Sequence, residues 1–355
     1  MNDGNKISEH TIKKFDLVAG YVASWIHKLM NNSYCKEVVF IDCMCNNGIY
    51  KNCGNTVEGT PIRVAKIISE AMKNYSNKKA NLYFNDKDQR KILELKGNLP
   101  EDTNNFKIHL SVDDGNDLLK NLKDKLLRRN DLHYLLFYDP YMAKINWEAI
   151  APYFFGWGEV ILNHMESDTR RAIKSVKRQS AIDKYEKTYL TSIKELVSLH
   201  GDKNAYNKLI ENIIKELGKI SKREYYLAVV PFFIKTNAKI YNIVYFTKNK
   251  DGFILFKKTA WRIFGGKSSN QNTHGAEMQQ SLFETTDKDK DCYYVIDIVN
   301  YIITKFKGRN ISLQEIWNLL DEHPVFPTDG YKKEIKAELK RIGYCKIIGN
   351  NIQFN

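Results

Sequence analysis

Hydrophobic positions along the first half of the chain alternate between two spacings. Ile12, Phe15, Val18, Ala19, Val22, Ile26 and Leu29 recur at helical intervals and predict a helix over residues 11–30. Val38-Val39-Phe40-Ile41 is a continuous apolar run that reads as a buried strand ending at Asp42. A loop with Asn46-Asn47-Gly48, Gly54 and Gly59 follows. Thr60 is the expected cap of a helix with Pro61 at its first position. The alternation then repeats. Leu82-Tyr83-Phe84 ends at Asn85-Asp86 before a helix over about 87–97. Phe106 to Ser111 precedes Asp113-Asp114 and a helix to about Arg129. A fourth apolar run closes at Tyr138, with a helix expected from Asn146, and Glu159-Val-Ile-Leu162 is the fifth strand. Strands alternating with helices predict a parallel sheet with right-handed crossovers.

Beyond residue 164 the pattern changes. Residues 165–223 read as a long charged helical insertion. Two strands over 225–234 and 239–246 are joined by Thr236-Asn237-Ala238, too short for a helix, and therefore form an antiparallel hairpin. Five β-α units closed by such a hairpin are the layout of the class I methyltransferase fold, a Rossmann-like α/β sheet, expected here over 1–265. Residues 266–291 are polar and read as a linker. Within 292–355 an amphipathic helix is followed by the capping box Ser312-Leu-Gln-Glu315, a third helix capped by Asp329 and ending at Gly343, and a hairpin around Gly349-Asn350-Asn351. This is a winged-helix-like arrangement, with Lys332, Lys333, Lys336, Lys340 and Arg341 on its third helix.

The chain has 355 residues, 43% of them hydrophobic, and a formal charge of +13. The apolar fraction supports a packed core, and the positive excess points to an anionic partner, nucleic acid first, DNA or RNA. No apolar run approaches the roughly 20 residues of a membrane span. Met1 to Lys14 is polar, and the six cysteines lack disulfide-like spacing, so the cytoplasm is the expected compartment. Cys43, Cys45 and Cys53 lack a fourth ligand at metal-binding spacing and read as packing residues, with no metal expected.

Candidate chemistry gathers at the carboxyl ends of the strands. Asp42, Asn46 and Gly48 follow the first strand, where an acid or amide can hold an ammonium and glycine permits close backbone approach. Asp86 ends the second and can accept from both hydroxyls of a ribose, with Asp88 as a second candidate. Asp114, in competition with Asp113, follows the third and can accept from an adenine amino group. The fourth ends in Phe137-Tyr138-Asp139-Pro140-Tyr141. There Asp139 and the Pro140 carbonyl can accept the two N–H groups of an exocyclic amine while Tyr141 stacks on the ring. This stretch resembles the Asp-Pro-Pro-Tyr signature of amino methyltransferases acting on adenine in nucleic acid, with a single proline here. His164 either lines the pocket or is a satisfied loop histidine. Arg170, Arg171, Lys174, Lys177 and Arg178 form a basic cluster without an intervening acid. On one helix, 170, 174, 177 and 178 would share a face able to track phosphates.

The order of Ile41-Asp42, Gly48-Ile-Tyr50, Gly59-Thr-Pro61, Phe84-Asn-Asp86, Asp114-Gly-Asn116, Phe137-Tyr-Asp-Pro-Tyr141 and Tyr241-Asn-Ile-Val-Tyr-Phe-Thr-Lys248 resembles the three-Cys-motif partner protein family, TcmP. The resemblance covers roughly residues 11–265 and the tail. It implies a class I methyltransferase-like fold, S-adenosylmethionine as cofactor, and a radical-SAM-like partner protein with a three-cysteine motif. Where that family tends toward Ala-Gly-Pro-Gly after the first acid, this chain has Cys43-Met-Cys-Asn-Asn-Gly48. The expected activity is methyl transfer to an exocyclic base amine. The alternative is a methyltransferase-like adaptor that binds nucleic acid and the partner.

Overall fold

A computed structural model describes residues 7–234, 237–272 and 290–355. Thr236 and most of the expected linker lie outside the described residues. The main sheet contains β1 (Glu37–Asp42), β4 (Lys79–Asn85), β5 (Phe106–Ser111), β6 (Leu132–Tyr138), β7 (Gly158–His164), β8 (Tyr226–Phe233) and β9 (Lys239–Thr247). Their spatial order is β5-β4-β1-β6-β7-β9-β8. The first five run parallel, and β9 inserts antiparallel between β7 and β8. A dinucleotide-binding sheet would continue with another parallel strand. The inserted antiparallel strand defines the class I methyltransferase fold, as the hairpin predicted.

The loop expected after β1 contains a feature the periodicity did not disclose, the hairpin β2 (Ile49–Asn52) and β3 (Asn55–Glu58). Its strands are only partly buried and too short to generate an alternation signal. The α2 helix (Thr60–Met72) is capped by Gly59, so Thr60 is its first residue rather than its cap.

Strand side chains alternate between two cores. On one face Val38, Phe40, Leu82, Phe84 and Phe137 pack with α1 (Glu9–Met30), α2 and α10 (Lys250–Ile263). On the other, Val39, Ile41, Tyr134, Leu136 and Leu162 meet α4 (Gly115–Leu127) and α9 (Ala205–Ile220). Between β4 and β5 runs α3 (Gln89–Lys96), and α5 (Trp147–Ile150) follows β6. The segment read as one long helical stretch is broken into α6 (Glu166–Ala172), α7 (Gln179–Tyr189), α8 (Ile193–Ser198) and α9. Leu190, left-handed at φ 51°, ends α7. No described helix is long and apolar enough to cross a membrane.

The C-terminal residues form α11 (Val295–Phe306), β10 (Asn310–Ser312), α12 (Leu313–Glu322), α13 (Lys332–Ile342), β11 (Cys345–Ile348) and β12 (Asn351–Phe354), the strands ordered β10-β12-β11. The Ser312–Glu315 capping box is present. The cap of α13 is Tyr331, not Asp329. This unit is fastened to α10. Trp261 belongs to its apolar cluster and donates to the Val325 carbonyl at 2.9 Å. Buried Lys257 donates to the carbonyls of Leu320, Asp321 and His323 at 2.9, 3.1 and 2.6 Å. Burial pushes the Lys257 ammonium down toward about 7. Three acceptors nevertheless match the three N–H groups of the charged form, and the end of α12 favours a cation. Lys257→Met is expected to destabilise the C-terminal unit by about 2–3 kcal/mol. Hydrogen exchange should then accelerate over 295–354 while β1 and β6 stay protected; unchanged protection would show that the three bonds contribute nothing.

Candidate active site

The winding of the chain reverses at β1, which pairs with β4 on one side and β6 on the other. A crevice opens at such a switch point, beyond the carboxyl ends of the strands. Here it is a cleft of about 790 Å³, lined among others by Asp42, Asn46, Asp86, Asp114, Asp139, Pro140 and Tyr141. Residues from four parallel strand ends, far apart in sequence, are thereby brought around one space.

Asp42 is 2% exposed, and its recorded hydrogen bond is a long one from the Met44 N–H at 3.3 Å. Burial first, and then the Asp139 charge, raises its carboxyl to about 8. Asp86 accepts from the backbone N–H groups of Asn46 at 3.1 Å and Asp88 at 2.9 Å. Asn46 makes this bond from a left-handed conformation, φ 59°. Asp114 accepts from Lys87 and from the Asn116 N–H at 2.8 Å, and the Lys87 bond holds its carboxyl down at about 2. Asp113 does not line the cleft. Its backbone is instead held by Asn85, a fully buried amide that bonds the Cys43 carbonyl, the Asp113 N–H and carbonyl, and the Ser111 hydroxyl. Asn85 thus ties the loops after β1 and β5 together. Gly115 permits the same approach, since a Cβ there would sit 2.4 Å from the Cys43 carbonyl oxygen.

Asp139 is already engaged. Its Oδ2 accepts from Lys14 Nζ at 2.5 Å and its Oδ1 from Asn163 Nδ2 at 2.5 Å. Lys14 is 8% exposed and lies 5.4 Å from the centre of the Tyr241 ring. Pro140 is buried, whereas Tyr141 is 91% exposed at the rim beside Met142, Lys144 and Arg171.

Other expected residues stand elsewhere. Gly48, at φ +71°, packs against Ile62 and Leu95 and does not line the cleft. Asp88 caps α3 and pairs with Arg90. His164 is buried against Tyr189 and Asn207, behind the cleft wall. Cys43 and Cys45 are buried and Cys53 is exposed. The basic stripe does not form on one helix, because α6 ends at Ala172 and Lys174, Lys177 and Arg178 follow in turn and coil. Those three are exposed, and Arg171 reaches the cleft. Arg170 is committed inward: it bonds fully buried Glu166 and the Asp202 and Lys203 carbonyls. On α13, Lys332, Lys333 and Lys340 are exposed and Lys336 is half-buried; Lys332 and Lys336 lie over the Trp317 ring at 5.6 and 5.8 Å.

Lys14 and Asn163 were not singled out from the sequence. A signal for Lys14 existed: it is three and four residues before Leu17 and Val18, on the buried face of α1. Asn163 offered none, since a polar residue at a strand end is common.

No protein-family model matches the chain, and no curated protein matches it. Among solved structures it is similar to a Legionella pneumophila protein described by the family model DUF519, with 10% identity over 70% of this chain and 91% of that one, TM-score 0.40. It is also similar to human methyltransferase-like protein 13 in complex with SAH (10% identity, 78% and 98% coverage, TM-score 0.32) and to the methyltransferase domain of a bacterial Hen1 protein (10%, 65% and 99%, TM-score 0.31). The overlays are partial, and the fold assignment rests on strand order and direction.

Burial of Asp42 carries a stability consequence. The unfolded side chain gives up its proton near 3.8 and the folded one near 8, so folding stability falls as pH rises between these values. Asp42→Asn removes that slope. It should leave the unfolding midpoint little changed at pH 4 and raise stability by about 2 kcal/mol at pH 8, read by thermal melts; parallel wild-type and variant profiles would contradict it.

Proposed function

We propose that this chain is an S-adenosylmethionine-dependent methyltransferase acting on an exocyclic amine of a nucleic-acid base, adenine N6 first. The observation that carries the proposal is the convergence of Asp42, Asp86, Asp114 and Asp139, one acid beyond each of four parallel strands, on a single cleft. Its volume, about 790 Å³, suits a nucleoside-sized ligand. The lining also keeps polar groups short of partners: the buried Thr60 hydroxyl has none, and Asp42 has one long bond. A ligand with hydroxyl and ammonium donors would satisfy them.

When bound, the cofactor supplies an activated methyl group. Asp86 retains acceptor capacity for ribose hydroxyls beside its two backbone bonds and a long one from Lys91 at 3.5 Å. Asp114 is suited to an adenine amino group, and Asp42 to an ammonium. Asp139 and the Pro140 carbonyl would draw on the N–H groups of the acceptor, and Tyr141, exposed at the rim, would cover its ring. Lys87, Lys91, Lys144 and Arg171 around the mouth offer cations to a phosphate backbone. The C-terminal helices and sheet are proposed as a winged-helix-like module presenting Lys333 and Lys340 to the same polymer. The resemblance to the TcmP family adds a three-Cys-motif protein as a proposed partner, and the cytoplasm as the compartment.

Transfer of a tritiated methyl group into pooled DNA and RNA tests the proposal. Asp139→Ala should lower the rate by about a hundredfold or more while S-adenosylhomocysteine still binds. Retained turnover would remove Asp139 from the chemistry. Absence of transfer by the wild type, alone and with a three-Cys-motif partner added, would replace the enzyme with the adaptor.

A further inference from the structure

The acceptor end of the cleft holds a second unsatisfied group. Asn163 is 1% exposed, and its Oδ1 has no hydrogen-bond partner. The orientation of this amide follows from its neighbour: Nδ2 must face Asp139 Oδ1, which only accepts, and Asn163 Oδ1 is left without a donor. An orphaned buried carbonyl oxygen is costly, and it lies on the residue that braces Asp139. The other oxygen of Asp139 is occupied by Lys14 Nζ, an amine donated by the chain itself. Lys14 comes from α1, on a four-carbon stem that can swing without moving the sheet.

We propose that Asp139 Oδ2 and Asn163 Oδ1 form a two-acceptor cradle for an incoming –NH₂ or –NH₃⁺ group, and that Lys14 occupies it as a resident plug which the acceptor displaces. The inference rests on the reading of this cleft as an amine-methylating site, puts Asn163 Oδ1 in place of the Pro140 carbonyl as the second acceptor, and adds Lys14 to its specificity. An entering amine takes over the bond that Lys14 makes and gains one at Asn163 that Lys14 leaves unmade. A ring carbonyl, as in uracil or hypoxanthine, would face two acceptors with no proton to share. Selection against such bases therefore follows from charge and hydrogen-bond sense rather than from size.

The test uses n-propylammonium chloride, a free copy of the end of a lysine side chain, titrated by calorimetry into the full chain. Lys14→Ala should bind it about tenfold more tightly than the wild type does, and adding Asn163→Ala should weaken it about fivefold, each step being roughly one hydrogen bond to a charged group. Neutral n-propanol should not compete. Lys14→Met, which keeps the volume and removes the ammonium, provides the same comparison if the alanine variant fails to fold: it should exceed wild-type affinity about fivefold. Equal binding by the wild type and the Lys14 variants, or indifference to Asn163, overturns the cradle. The probe needs neither cofactor nor nucleic acid, so its failure alongside intact methyl transfer discards only the cradle. Probe binding without any methyl transfer discards the enzyme and leaves an amine-binding site.

Discussion

Two carboxyl groups share one ammonium at the floor of the cleft, and the rest of the site is arranged around that imbalance. Asp42 and Asp139 sit at the ends of adjacent strands, so the sheet itself holds them close. Lys14 satisfies one of them. The other, with its carboxyl lifted to about 8, remains largely protonated at neutral pH. A buried unpaired carboxylate is expensive, and the protein avoids it by retaining a proton rather than by supplying a second cation. A ligand bringing positive charge or N–H donors would change that balance directly. Electrostatics, more than shape, therefore limits what the cleft can receive.

The fold creates this place by topology. Crossovers from β1 lead first toward β4 and β5 and then back to β6, leaving a crevice that no loop fills. Asn85 and Gly115 draw the surrounding loops together on one side. On the other, α1 packs across α2 and α10 and delivers Lys14 to the strand ends. The same α10 carries Lys257 and Trp261, which hold the C-terminal unit. One pair of helices thus connects the floor of the cleft with the basic C-terminal helix.

Much of this was legible in the sequence, for identifiable reasons. The central strands β1, β6 and β7 are buried on both faces and appear as largely unbroken apolar runs, whereas β4 and the edge strand β5 are partly exposed and show shorter ones. The short Thr236-Asn237-Ala238 connection in the sequence required a hairpin. Other features left no local trace. The β2–β3 hairpin is too short and too exposed for its period to register. The 165–223 segment has helical composition throughout; Ser192, which caps α8 by accepting from the Glu195 N–H, marks one break locally, and packing sets the others. Arg170 looked like its basic neighbours; Glu166 is its neighbour one turn back on α6, but the Asp202 and Lys203 carbonyls that hold it lie more than thirty positions on. The ion pair between Lys14 and Asp139 spans 125 residues and could not be read from spacing at all.

Cofactor binding is the claim on which the enzymatic account turns, and calorimetric titration with S-adenosylhomocysteine examines it most directly. The account predicts saturable heat for the wild-type chain, lost in Asp86→Ala, because the carboxylate at the end of β4 is the proposed ribose acceptor. No heat at saturating ligand, or an isotherm unchanged by Asp86→Ala, would contradict it.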